Sequence, residues 1–219
     1  MALTLCTFYT PSHEILFKEW LLPSATSAGF VVEARKYDNQ LCATGNYAET
    51  GWRDTQFKKL SNYISVLKRK KDTDIIVGSD VDVQIIKPCE NKLVEFLGDC
   101  DLAFQENVDG KVCSGFFVAR CNSNVINFFE TALKSLACEL MKSKKGGGEQ
   151  YEIWKLIANG NHNAKLKMLP KNEVWNPRTK YEKVEDLNIP TNMLVHHANW
   201  THGTKNKIKQ LAFVWEKLS

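Results

Sequence analysis

The sequence lacks the features that would place it among membrane or low-complexity proteins. No run of about 18 apolar residues occurs, which is the length that a membrane-spanning helix needs. The chain has only 12 Gly and 6 Pro in 219 residues, so no linker is visible and we expect a single domain over residues 1–219. The apolar N-terminal segment has no basic lead-in, and we interpret it as a buried strand and not as a signal peptide.

The seven cysteines lack the spacing of a metal site or a disulfide framework. None forms a CxxC pair, their number is odd, and several lie in apolar segments, where a free thiol behaves as a small hydrophobe. We therefore expect neither structural zinc nor disulfides. A soluble protein in a reducing, cytoplasmic location is the corresponding prediction, which would be the host-cell cytoplasm for a viral protein.

A strong charge bias is also missing, since the formal net charge is +4. A nucleic-acid-binding protein usually has a larger basic excess with interleaved aromatic residues, so we expect no nucleic-acid partner. Basic clusters at residues 68–71 and 142–145 are interpreted as C-terminal turns of helices, where the helix dipole favours cations. A third basic cluster, at residues 205–209, lies instead at the beginning of a predicted helix.

Apolar strands alternate with amphipathic helices along the chain. The pattern predicts strands at residues 3–9, 30–34, 75–86, 101–105, 112–120, 165–169 and 193–197, with the third interrupted at Gly78-Ser79. It predicts helices at residues 11–23, 54–71, 125–140, 149–158 and 205–218. This alternation indicates an α/β fold with a mostly parallel central sheet flanked by helices.

The most specific motif is Asp80-Val81-Asp82, which directly follows an apolar strand. On an extended chain the two carboxylates would point to the same face, about 6.6 Å apart along the strand. Carboxylates this close repel one another unless a cation lies between them, and oxygen ligands favour Mg²⁺ or Mn²⁺. Because α/β folds bind ligands at the carboxyl ends of their strands, we expect a metal ion that bridges to a diphosphate.

The motif and several other segments resemble the GT-A nucleotide-diphospho-sugar transferases, including small glycosyltransferase domains encoded by large algal viruses. Asp80-Val81-Asp82 matches the metal motif of that family. Cys113-Ser114-Gly115-Phe116-Phe117 is similar to the strand beside the donor sugar. Gly148-Glu149-Gln150 resembles an acidic residue and Gln at the start of a helix, although the family often has Asp where this chain has Glu149.

The last segment that resembles the family is Val195-His196-His197-Ala198-Asn199-Trp200 with the downstream Gly203 and Lys205, although the usual Lys-Pro-Trp ending is absent. Because His196 and His197 end an apolar strand, alternation predicts that they point to opposite faces. The resemblance implies that His197 is the metal ligand. His202 is the alternative candidate for binding metal or phosphate. Lys205 and Lys207 begin the last helix, where backbone N–H groups also favour an anion.

The resemblance implies a metal-dependent glycosyltransferase of the GT-A (Rossmann-like) fold. The donor would be a nucleotide-sugar, and a UDP-sugar is expected; the acceptor would be a glycan, a glycoprotein or another hydroxyl compound. Asp80, Asp82 and His197 would hold Mn²⁺ or Mg²⁺, and Glu149 and Gln150 would act at the sugar. Glu149 offers a base, which favours inversion. The expected donor-binding residues are Thr7, Phe8, Tyr9, Thr10, Asp38, Lys59, Asp80, Val81, Ser114, Gly115, His202 and Lys205.

Two alternatives remain open at this point. A phosphatase of the haloacid-dehalogenase type also uses two Asp residues after a strand, but a Thr or Val normally stands four residues after the first, where this chain has Gln84. A module that binds a nucleotide or glycan without turnover is the other alternative, because a sequence does not prove that Glu149 is positioned as a base.

Overall fold

The computed structural model describes residues 2–43, 45–142, 147–177 and 183–218. The strands are β1 (Thr4–Tyr9), β2 (Val31–Lys36), β3 (Ile75–Ser79), β4 (Val83–Ile85), β5 (Leu102–Glu106), β6 (Val112–Arg120), β7 (Leu166–Met168), β8 (Val174–Trp175) and β9 (Val195–His197). The helices are α1 (Glu14–Leu16), α2 (Leu22–Ser27), α3 (Trp52–Arg69), α4 (Glu90–Leu97), α5 (Ser123–Lys142), α6 (Glu149–Ala158) and α7 (Thr204–Leu218). Residues 143–146 lie outside the described ranges. They include most of the basic cluster at 142–145 and the first glycine of the run at 146–148.

A six-stranded sheet forms the centre of the fold, in the order β2-β1-β3-β6-β5-β7. Its strands run parallel except β6, which pairs antiparallel with both β3 and β5. One face is covered by α3, α5 and α6, and the other by α1, α2, α4 and a small second sheet. The predicted α/β fold with a mostly parallel sheet is therefore confirmed. No helix among the described residues has the length and apolar character needed to cross a membrane.

The predicted third strand is two strands that belong to different sheets. Gly78 and Ser79, expected to interrupt it, are paired with Phe117 and Phe116 inside the large sheet. The chain turns at residues 80–82 instead, and β4 then pairs with β9 in the small sheet, whose order is β4-β9-β8. The expectation of two carboxylates on one extended strand was therefore wrong, because the acidic motif itself forms the crossing between the two sheets.

The first helical segment is longer and less regular than predicted. It passes from a 3₁₀ turn at Pro11–His13 through α1, a π-helical turn at Phe17–Leu21 and α2. The predicted end at Pro23 was wrong, since Pro23 lies in the first turn of α2. A proline inside a helix removes one hydrogen bond and crowds the carbonyl four residues earlier, and the wider π turn directly before it accommodates that change.

Helix α7 connects the C-terminal segment to the edge of the sheet where β1 ends. Its first residue, Thr204, donates its hydroxyl to the carbonyl of Ser12 at 3.3 Å. Leu211 and Val214 are buried on its inner face, as is Gln210. Trp215, on the same helix, has 47% of its surface exposed. Helix α7 thus buries the amide of Gln210 and leaves the indole of Trp215 exposed. The Gln210 amide contacts His196 of the small sheet.

Candidate active site

Three side chains with metal-binding groups meet at the carboxyl edge of the large sheet. Asp80 and Asp82 follow β3, and His197 ends β9, whose backbone pairs with β4 just after the acidic motif. One ligand atom from each of the three lies within 4.8 Å of the others. Two backbone hydrogen bonds fix this arrangement, from Asp80 N to Gly115 O at 2.7 Å and from Ala198 N to Asp82 O at 2.9 Å.

His197 is held with one ring nitrogen directed at the two carboxylates. Its Nδ1 lies 2.7 Å from Oε1 of Gln105, and its Nε2 lies 3.4 Å from Oδ1 of Asp82. That Nε2 is buried and, among the described residues, forms no hydrogen bond beyond this ion-pair contact with Asp82. A histidine that ligates a metal typically gives its other N–H to an oxygen acceptor, and Gln105 supplies that acceptor here. The side chains therefore fit an oxygen-preferring divalent cation such as Mn²⁺ or Mg²⁺.

The charge balance without a metal agrees with that interpretation. Burial lowers the pKa of His197, but the Asp82 carboxylate outweighs it and raises that pKa to about 10. Burial raises the pKa of Asp82, while Lys207 and His197 together hold it well below its usual value. Burial also raises the pKa of Asp80, against the opposing effect of Lys59. Cationic groups from the protein thus surround the carboxylates.

Lys59 on α3 contacts two carboxylates and is almost completely buried. Its Nζ lies 2.6 Å from Oδ1 of Asp80 and 2.9 Å from Oε1 of Glu149, and only 3% of its side chain is exposed. Burial lowers the pKa of Lys59, but these two carboxylates raise it well above its usual value. Its predicted role as a phosphate ligand does not fit this geometry. The ammonium group connects the acidic motif to α6 beneath the site.

Glu149 and Gln150 at the start of α6 are fixed against β6. Ser114 donates its hydroxyl to Glu149 Oε1 at 2.7 Å and its backbone N–H to Gln150 Oε1 at 3.2 Å. The Gln56 amide finds matching partners only with its nitrogen turned towards Glu149, and in that orientation it donates to the same oxygen at 3.0 Å. The predicted proximity of these segments is therefore observed. The Glu149 carboxylate, however, is buried and already accepts from three donors, so it does not have the open position expected of a base.

Lys207 on α7 lies on the opposite side of the motif. Its Nζ contacts Oδ2 of Asp82 and donates to the carbonyl of Ala198 at 3.2 Å. It was expected to bind an anion at the start of this helix, together with Lys205. In the structure Lys207 neutralises Asp82, whereas Lys205 and His202 are exposed beside it. His202 is not one of the three described residues whose ligand atoms lie close enough together to share a metal ion.

Gly115 lies where any side chain would collide with the cluster. A Cβ at this position would overlap the His197 ring and lie 2.9 Å from Oδ2 of Asp80. The side chain of Val81 is buried in the core. Gly115 thus leaves the space that the His197 ring and the Asp80 carboxylate occupy.

The segment that ends β1 reaches the same edge, but not all of its side chains do. Thr7 is fully buried, with its hydroxyl donating to Ser79 O at 2.7 Å. Its contact with a nucleotide stays a prediction, and the structure places this hydroxyl inside the sheet. Phe8 packs edge-on against Tyr37, and Tyr9 stacks on Phe17 with ring centroids 4.5 Å apart. Thr10 is buried at the end of the strand.

Asp38, which follows β2, was predicted to bind the sugar donor but lies apart from the side chains of the candidate metal site. Its side chain is 87% exposed and lies 3.5 Å from the Lys36 ammonium group. It belongs to the same edge of the sheet as β1 and β3, because β2 runs parallel to β1. It contacts none of the side chains in the metal cluster among those that the structure describes.

His196 points away from His197, which confirms the predicted alternation. Its Nδ1 lies 3.5 Å from Oε1 of Gln84, and Gln210 lies 3.0 Å from its Nε2. The ring packs 5.3 Å from that of Trp175. Burial and the adjacent His197 lower the pKa of His196 to about 3. His196 is therefore a neutral core residue that holds β9 and α7 together.

Sequence patterns did not reveal four of the polar residues at or near this site: His13, Gln56, Gln105 and Gln210. Gln105 ends an apolar strand and carries no local signal for its contact with His197, which is far away in the sequence. The one available signal concerned His13, because it follows β1 at the edge where ligands of α/β folds bind. Its half-buried ring lies against Gly45.

The fold and the cluster define an α/β protein that presents two carboxylates and a histidine where a parallel sheet binds its ligand. The family model described as "Nucleotide-diphospho-sugar transferase" matches residues 50–211, which is more than half of the chain. The chain therefore belongs to the nucleotide-diphospho-sugar transferase family. It is a glycosyltransferase of the nucleotide-sugar type by that membership. No protein of curated function matches its sequence.

Solved structures support the GT-A fold at low sequence identity. A glycosyltransferase involved in the glycosylation of the major capsid of PBCV-1 matches with a TM-score of 0.65 and 11% identity, over 95% of this chain and 100% of that one. GlyE of Streptococcus pneumoniae TIGR4 matches with a TM-score of 0.60 and 10% identity, over 100% of this chain and 62% of that one. An active-site mutant of LgtC matches with a TM-score of 0.55 and 11% identity, over 96% and 95%.

Proposed function

We propose that this protein transfers a sugar from a UDP-sugar to a hydroxyl group of a glycan or glycoprotein, with Mn²⁺ or Mg²⁺ held by Asp80, Asp82 and His197. The observation that carries this proposal is the meeting of two carboxylates and the buried His197 ring, whose ligand atoms lie within 4.8 Å of one another. Carboxylates this close repel one another, and a cation between the three groups would offset that repulsion. Family membership supplies the reaction class, and the cluster supplies the reason for metal dependence.

The other residues at this edge have separate roles in the proposal. When bound, the divalent cation would neutralise charge on the leaving diphosphate. Lys207 and the first turn of α7 provide positive charge and backbone N–H groups beside Asp82, where a diphosphate would lie. Tyr9 and Thr10 would contact the nucleoside at the end of β1, with Asp38, His202 and Lys205 as outer contacts. Ser114 and Gln150 would orient the donor sugar.

The stereochemical outcome depends on Glu149. Inversion requires a base that removes the proton of the acceptor hydroxyl. Glu149 would have to release Lys59 and Ser114 to reach that hydroxyl, and the closed ion pair argues against this. Inversion therefore stays a prediction, and the anomeric coupling constant of the product in proton NMR distinguishes it from retention.

A reducing location is supported by the seven cysteines, all of which are free thiols. We propose action in the cytoplasm on this ground. The structural relation to a capsid glycosyltransferase extends the proposal to a viral setting, in which a glycoprotein would be the acceptor.

Calorimetric titration of UDP with Mn²⁺, and then with a chelator, tests the donor and metal sites. The decisive variant is Asp82→Asn, which keeps the size of the side chain and removes its charge. The matched control is Asp99→Asn, because Asp99 has an exposed carboxylate far from the cluster. We expect metal-dependent UDP binding in the wild type and the control, and a loss of about 100-fold or more in Asp82→Asn.

A screen of UDP-sugars for hydrolysis and transfer follows from a positive result. Binding without any turnover would favour the non-catalytic module. If UDP, GDP and dTDP all fail to bind in the presence of Mn²⁺, the proposed function is overturned.

A further inference from the structure

A serine–histidine pair lies at the end of β1, next to the metal cluster but outside it. Ser12 and His13 belong to the 3₁₀ turn that follows β1, and β1 is the parallel neighbour of β3 in the sheet. The acidic motif begins at the carboxyl end of β3. Neighbouring parallel strands open on the same edge of a sheet, so the turn and the motif share one ligand-binding edge.

Helix α7 connects this turn to Asp82. Thr204, its first residue, bonds to the carbonyl of Ser12 at 3.3 Å. Lys207 stands one turn further along the same face and contacts the Asp82 carboxylate. The turn that carries His13 is therefore joined through α7 to the Lys207–Asp82 pair. Both charges act on the ring, since burial and Lys207 lower the pKa of His13 while Asp82 raises it.

The His13 ring is oriented by its neighbours. Ser12 Oγ lies 2.8 Å from Nδ1, and the backbone N–H of Ser12 is itself held by Gln40 Oε1 at 2.9 Å. The backbone of Gly45 packs against the ring so closely that a Cβ there would overlap it. Among the described residues, Nε2 forms no hydrogen bond, and the ring is only half-buried. Nδ1 is thus held by Ser12, and Nε2 is available to bind a ligand.

We propose that His13 donates a hydrogen bond from Nε2 to a phosphate oxygen of the nucleoside diphosphate, as a positioning contact on the leaving group. This inference rests on the proposed function, because it needs a diphosphate between the acidic motif and α7. Ser12 can donate its O–H to Nδ1, which places the ring proton on Nε2. An anionic acceptor selects that tautomer, and no proton has to be transferred.

A diphosphate is the chemistry that this position favours. The first turn of a helix presents free N–H groups and the positive end of its dipole, both of which attract anions. Lys207 adds a full positive charge on the same side of the cluster. A neutral sugar or base would leave these groups without an acceptor of matching charge, whereas a phosphate oxygen accepts from several donors at once.

The test compares UDP with uridine on the full chain. His13→Phe keeps the ring packing against Gly45 and removes both nitrogens. We expect it to weaken UDP binding in the presence of Mn²⁺ by about tenfold, with uridine affinity unchanged. His13→Gln, whose amide nitrogen can reach the Nε2 position, should recover most of the loss, to about threefold weaker than wild type. Calorimetry gives the UDP values, and competition gives those for uridine.

The matched control is His162→Phe, because His162 packs on Phe128 away from the metal cluster and next to α5. It should leave UDP affinity unchanged. Equal UDP affinity in His13→Phe and wild type would overturn the inference and leave the proposed function standing. Equal weakening of UDP and uridine would also overturn it, since His13 would then support the nucleoside pocket. A wild type that binds no nucleoside diphosphate would instead overturn the proposed function itself.

Discussion

Two lysines flank the acidic motif, and the fold holds them very differently. Lys59 comes from the middle of α3, contacts two carboxylates and has 3% of its side chain exposed. Lys207 comes from the second turn of α7, contacts one carboxylate and one carbonyl, and has 15% exposed. Lys59 neutralises the carboxylates of Asp80 and Glu149 in the protein interior. Lys207 contacts Asp82 from the more exposed side of the motif. The first is a structural counter-charge, and we expect a divalent cation to displace the second.

The largest effect is expected from removing the enclosed lysine. Lys59→Met leaves Asp80 and Glu149 without their shared cation, and breaking a buried ion pair typically costs about 3 to 5 kcal/mol of unfolding free energy. Urea unfolding of the metal-free protein measures the change. The exposed neighbour on the same helix provides the control, so Lys58→Met should change stability by less than about 0.5 kcal/mol. Similar losses in both variants would show that Lys59 is not the structural counter-charge.

Gly115→Ala affects both sides of the motif at once. The added methyl group would overlap His197 and crowd Asp80, so the ligand atoms must separate. Overpacking of this kind costs about 1 to 3 kcal/mol of stability. We also expect Mn²⁺ affinity to fall by about tenfold or more, because metal sites are sensitive to the orientation of their ligands. Unchanged Mn²⁺ affinity in isothermal titration would contradict the assignment of Asp80 and His197 as ligands.

Removing the displaceable lysine should have opposite effects on stability and on metal binding. Lys207→Met should cost about 1 to 2 kcal/mol in the metal-free protein, less than Lys59→Met, because Lys207 is more exposed. It should nevertheless bind free Mn²⁺ about fivefold more tightly, since a competing positive charge is gone. UDP affinity should fall in the same variant. Weaker Mn²⁺ binding would show that Lys207 helps to hold the metal and does not compete with it.

The last expected effects are small for each pH unit and accumulate over several units, and they concern the two adjacent histidines on opposite faces of β9. The pKa of His196 in the fold is about 3, below its ordinary 6.5, so its neutral form contributes stability that is lost as pH falls below 6.5. The pKa of His197 is about 10, so its contribution is present below 6.5 and lost as pH rises towards 10. The free energy of unfolding changes by at most about 1.4 kcal/mol per pH unit on each limb of its pH profile, the acid limb below pH 6.5 and the alkaline limb above it.

Stability of the metal-free protein should therefore pass through a maximum near pH 6.5 as far as this pair is concerned. Urea unfolding at several pH values measures both limbs. His196→Asn should flatten the acid limb and His197→Asn the alkaline one. Saturating Mn²⁺ should flatten the alkaline limb in the wild type, because a ligating imidazole is unprotonated. An alkaline limb that does not respond to Mn²⁺ would contradict metal binding by His197.

Much of the architecture followed from local patterns. Helix α6 and strand β6 have the predicted bounds, because their apolar periodicity is clear and glycine or polar residues mark both ends. The π turn before Pro23 and the two-residue strand β8 were missed, since neither has a local signature. The acidic motif was found, but its shape was not, because a continuous apolar pattern does not show where a chain leaves one sheet for another.

By itself, the sequence determined the class of fold and indicated most of the groups of the candidate metal site. Asp80, Asp82 and the pair of histidines are recognisable because each directly follows or ends an apolar strand. Only the tertiary structure decided which cation each carboxylate contacts and whether Glu149 is free. Lys207 and Asp82 are 125 residues apart, and no periodicity connects them. The partner of a buried charge is set by the packing of whole helices against the sheet, which local sequence does not encode.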